Sequence, residues 1–106
     1  MTALPVACCL SADELKVRER EISALFAEVL TTARLDGRRL ELSFGAGPET
    51  LSRVEALAAA ERRCCAFLTF TVTGGAQAPA LAIDAPVGAE ATLADFAAVA
   101  REALPR

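Results

Sequence analysis

The chain reads as a small α+β domain, and three observations say so. Apolar residues recur at helical spacing in some stretches, they alternate with polar residues in others, and clusters of glycine and proline separate the two kinds. At 106 residues a single domain, 1–106, is expected, large enough to bury a modest core without crosslinks. The predicted order is α-β-α-β-β-α, a three-stranded sheet covered by helices in two layers.

Met1–Leu10 is a short apolar lead that Pro5 keeps from being helical. Ser11-Ala12-Asp13-Glu14 has the form of a capping box, so a helix is expected to start there. Leu15, Ile22, Leu25, Phe26, Val29, Leu30 and Ala33 share one face of it, and Asp36-Gly37 supplies the stop. At about 100° per residue, Arg18 falls on that same face. An arginine there calls for a partner.

Arg39–Phe44 alternates, with Leu40, Leu42 and Phe44 on one side, as a half-buried strand does. Gly45–Pro48 turns the chain into a second helix, expected from Pro48 to Arg63, with Glu49 placed to complement its dipole. Leu51, Val54, Leu57 and Ala58 form its apolar face, Glu61 lands in the middle of that face, and Cys65 and Cys64 lie beside it and at its edge. Phe67–Thr73 and Ala80–Ala85 predict a hairpin through Gly74-Gly75, with Phe67 and Phe70 expected in the core. A last helix, from about Ala89 to Leu104, buries Leu93, Phe96, Ala97, Ala100 and Leu104.

Composition narrows the function. Apolar residues make up 54% and charged residues 24%, which is globular. A net charge of −3, with Lys16 as the only lysine, argues against nucleic acid, whose phosphates need clustered cations. No apolar run is long enough to cross a bilayer and the opening lacks the form of a secretory signal, so the expected compartment is the cytoplasm. There, reduced cysteines point to metal or redox chemistry more than to disulfides.

The four cysteines form two adjacent pairs, Cys8-Cys9 and Cys64-Cys65. Neighbouring side chains diverge on a helix and on a strand alike, so one tetrahedral zinc site using all four is disfavoured against the usual C-x2-4-C spacing. Without histidine, two or three thiolates suit a soft ion of low coordination, Hg(II), Cu(I) or As(III). Cys64 and Cys65 come from the end of the second helix, and Cys9 is the thiol that the lead could bring to them. Glu61 and Arg18 are expected to pair, fixing how the two helices meet and holding an acid near the sulfurs. The plainer alternatives are four cysteines that pack as small hydrophobes and an ion pair with no chemical role.

The segment L-x(3)-E-R-R-C-C-A-F-L-x-F from Leu57 to Phe70, with C-L-S-x-x-x-L-x-x-R from Cys9 to Arg18 and the later Ala85-Pro86, resembles a group of small bacterial proteins. These are similar to C-terminal extensions of MerR-type metal-responsive regulators and to stand-alone proteins associated with resistance to mercury and other heavy metals. The resemblance runs from Cys9 to about Phe96. It implies soft-metal handling by Cys9, Cys64 and Cys65, supported by Glu61 and Arg18. Ala66 stands where proline is common in the pattern, and Cys8 is a thiol outside it. No DNA-binding helix pair precedes the segment, so a complete regulator is not expected.

Binding of a soft ion, for scavenging, delivery or sensing, is therefore the first expectation. An enzyme resembling organomercurial lyases, with Glu61 as the acid that protonates the departing carbon, is an alternative. So is a thiol redox protein in which Cys64 attacks and Cys65 or Cys9 resolves, although the pair is not a C-x-x-C at a helix N-terminus. The remaining expectation is a homodimeric interaction domain that pairs through exposed sheet edges and carries passive cysteines.

Overall fold

Leucine and phenylalanine at every second position from Arg39 to Phe44 place one face of that segment in the core and the other in water. A computed structural model describes residues 12–64 and 66–104, and the side chains of residues 17–63 and 66–104. The described elements are α1 (Ala12–Val29), β1 (Leu30–Asp36), β2 (Arg39–Phe44), α2 (Pro48–Cys64), β3 (Thr69–Thr73), β4 (Ala80–Asp84) and α3 (Glu90–Ala103). The four strands form one antiparallel sheet in the order β1-β2-β4-β3. The α+β class is as expected. The three-stranded sheet and the α-β-α-β-β-α order are not, because the expected first helix gives way to a strand after Val29.

The cause lies in Leu30–Asp36. Helical spacing predicts Leu30 and Ala33 on the first helix, yet both lie on the core side of a strand. The β1–β2 register shifts between Leu30 and Thr32, which pair with Phe44 and Ser43. That bulge at Thr31 adds one residue, so a strand mimics helical spacing. The Thr31 hydroxyl donates to the Ser43 carbonyl at 3.0 Å, which holds the irregularity in place. Asp36-Gly37 is thus a hairpin turn and not a helix stop. Gly37, at φ 60°, is the first of two loop residues, where a type II′ turn requires a positive φ.

The remaining elements follow expectation to within a residue or two. The β3–β4 loop turns on Gly74, at φ 84°, where an added Cβ would sit 1.8 Å from the Ala78 carbonyl oxygen. No other residue fits that position without moving the loop. All three helices cover one face of the sheet. Ile22, Leu25 and Phe26 of α1, Val54 and Ala58 of α2, and Leu93, Phe96, Ala97, Val99 and Ala100 of α3 meet Leu40, Leu42, Phe44, Phe70, Leu81 and Ile83 of the strands in a single cluster. Two aromatic pairs cross the layers, Phe26 with Phe44 at 6.0 Å and Phe70 with Phe96 at 6.2 Å between ring centroids. Leu104, expected in the core, is only partly buried. Among the described residues, the opposite face of the sheet carries threonines, alanines and charged residues that are exposed or partly exposed.

Candidate site at the paired ends of two helices

The buried row of α2 is Val54, Ala58 and Glu61, spaced four and three apart, so the helix repeat carries a carboxylate into the core at its last turn. Glu61 is 5% exposed, whereas Val54 and Ala58 are fully enclosed. On α1 the corresponding row is Arg18, Ile22 and Leu25, which puts a guanidinium at one end of an apolar stripe. Each helix thus ends its buried row with a charge, and the charges are opposite. They meet: Arg18 Nη2 donates to Glu61 Oε2. The Arg18 side chain is 21% exposed against 6% for Glu61, so the arginine reaches from the surface over a sunken carboxylate. Among the described residues, the buried Arg18 Nε finds no acceptor.

A second pair fixes the helix orientation. Arg53 Nη1 of α2 lies 3.1 Å from Glu28 Oε1 near the end of α1. Since 18 faces 61 and 28 faces 53, α1 and α2 run antiparallel. The first turns of α1 therefore lie beside the last turns of α2.

The end of α2 is also tied to the sheet, which the sequence reading did not anticipate. Arg62, which lies off the apolar face of α2 and is exposed, donates from Nε and Nη2 to the Phe70 carbonyl at 3.1 and 2.6 Å. β3 is an edge strand, and this fork occupies a backbone acceptor that would otherwise face outward. The available signal was a basic residue in the last turn of a helix whose chain returns as a strand a few residues later. Arg63 is exposed. After the helix, Leu68 enters the core while Phe67 is 37% exposed in the turn. The expectation that Phe67 is a core residue is thus overturned. β3 starts only at Thr69, and the residue nearest the sheet takes the buried place.

The structure brings together two of the five expected site residues, Arg18 and Glu61. Cys64 is the last residue of α2, one turn beyond Glu61, with only its backbone described. Cys9 and Cys65 lie outside the described residues, as do Cys8 and Ser11, the serine of the expected capping box. Among the described residues no three metal-ligating side chains converge. No described helix is long and apolar enough to cross a membrane.

Comparison with known proteins finds no matching family model, no similar curated protein and no similar solved structure.

Proposed function

We propose that the chain captures one soft thiophilic ion, Hg(II), Cu(I) or As(III), through the thiolates of Cys9, Cys64 and Cys65, as a cytoplasmic component of heavy-metal resistance or sensing. The observation that carries this reading is the Arg18–Glu61 pair, because it sets the start of α1 against the end of α2 where Cys64 sits. Cys9 precedes Ala12 by three residues, a span of at most about 11 Å of chain. α1 begins at the end of the helix pair where α2 stops, which favours Cys9 over a more distant thiol.

The chemistry of the donor set favours a soft ion. Thiolates prefer such ions, the chain has no histidine, and adjacent cysteines suit two- or three-coordinate geometry better than tetrahedral zinc. Arg62 and Arg63 offset the negative end of the α2 dipole, which otherwise opposes thiolate formation.

Native mass spectrometry of the reduced protein with Hg(II), Cu(I), As(III) and Zn(II) tests the reading. One soft ion per chain is expected, lost in Cys65→Ser and kept in Cys8→Ser, with zinc held weakly. Failure of every ion to bind refutes it.

A further inference from the structure

The two edges of the sheet are finished differently. On β3 the Arg62 fork occupies the outward carbonyl of Phe70. Among the described residues no side chain closes the β1 edge in that way, and the exposed Arg34 and Asp36 meet each other at 3.3 Å.

Which backbone groups of β1 face outward follows from the ladder. Asp36 and Arg39 flank a two-residue hairpin loop, so they form a hydrogen-bonded pair, and bonded pairs then alternate with unbonded ones along the strands. Arg34 and Glu41 are the next bonded pair. The N–H and C=O groups of Ala33 and Leu35 therefore point away from β2. Carried across β2 and β4, the same alternation turns Phe70 outward on β3, which is where Arg62 meets it. The side chains at the β1 edge also lack full cover, since Ala33 and Leu35 rest against the core but are only partly buried.

We propose that this edge takes the β1 strand of a second copy, antiparallel about a twofold axis at Leu35. Outward groups must meet outward groups, which leaves Ala33 opposite Ala33, Ala33 opposite Leu35, or Leu35 opposite Leu35. The first register pairs core-side Leu30 with open-side Asp36, because the bulge at Thr31 breaks the alternation. The second sets Arg34 against Arg34 of the copy. The third sets Arg34 against Asp36 of the copy, twice by symmetry, with Leu35 against Leu35 between them. Opposite Arg34, Leu35 and Asp36 an incoming strand must present an acid, an apolar residue and a base. Run antiparallel, β1 itself does. The contact is small, so the dimer should be weak and come apart on dilution. It does not depend on ion binding.

Sedimentation equilibrium of the reduced protein from about 1 mM to about 1 μM should show dimer at the top of that range and monomer at the bottom. Arg34→Glu and Asp36→Lys each set like charges together at both symmetric contacts, and each should weaken dimerisation about tenfold. An equimolar mixture of the two variants restores opposite charges at both contacts and should dimerise as the parent does. Ala33→Pro removes an outward N–H without touching the β1–β2 ladder, and should leave monomer at every concentration with circular dichroism unchanged. If that variant does not fold, the charge variants decide alone. A parent that stays monomeric overturns the proposal, as does a dimer that survives Ala33→Pro or charge variants that associate no better mixed than apart. Protection of the Ala33 and Leu35 amides from hydrogen exchange in a monomeric parent would give the edge to another segment of the same chain and overturns it equally.

Discussion

Two guanidinium–carboxylate pairs in this molecule have the same chemistry and different consequences. Arg39 and Asp84 face each other across β2 and β4 on the open side of the sheet, with two bonds of 2.7 and 3.1 Å. Hydrogen bonding and charge attraction from Asp84 raise the Arg39 pKa above its ordinary value. Yet the backbone ladder already joins those strands, and water competes for both partners. Arg18 and Glu61 lie at the inner ends of two helix stripes, and their contact decides how α1 meets α2. The fork in the open is better formed, but the sunken contact carries more structural information. Location, and not geometry, sets what an ion pair does.

The most damaging test breaks the buried pair. Glu61→Ala strands the Arg18 guanidinium over an apolar site and should cost about 3 kcal/mol in urea unfolding. For a domain of this size the thermal midpoint should fall by more than about 10 °C. A loss as small as that at an exposed pair would erase the contrast. Replacing both partners, Arg18→Leu with Glu61→Leu, should restore stability to within about 1 kcal/mol of the parent, because no charge is left behind. A double variant as weak as Glu61→Ala would mean that the pair supplies net stability, not only register.

An intermediate case sharpens the comparison. Arg62 is ionic on one side only, donating to the neutral Phe70 carbonyl. Arg62→Ala should cost about 1–2 kcal/mol, and by uncovering the β3 edge it should increase self-association in size-exclusion chromatography. The smallest effect is expected at Asp84→Asn, with no resolvable change in urea midpoint and no change in its salt dependence beyond screening. Because the Arg39 pKa is raised in the folded state, its contribution is fully present below the ordinary arginine value and is lost only as pH rises through the folded one. Stability measured across neutral and mildly alkaline pH should therefore show no slope from this pair.

Much of this architecture could be read from periodicity. The bounds of β2 matched, α2 ran one residue past its expected end, and the facing of Arg18 and Glu61 followed from helical geometry alone. Both residues interrupt apolar stripes, and such an interruption needs a partner across the interface. The strand Leu30–Asp36 was missed for an equally physical reason. A bulge makes a strand's buried residues fall three apart, and that spacing outweighed two signals, the β-branched Thr31-Thr32 and an Asp-Gly turn between alternating segments. Phe67 was misplaced because hydrophobicity says that a residue prefers the core, not that the chain's path allows it. Convergence of the thiols depends on tertiary placement that adjacent cysteines do not encode.

The kink at Thr31 also bears on how this fold tolerates changes in length. A chain with Thr31 excised would still present Leu30, Ala33 and Leu35 to the interior, now by plain alternation, and would lose only one hydroxyl contact and some local twist. The boundary between first helix and first strand is therefore a place where sequences of this architecture can differ by a residue without reorganising anything beneath.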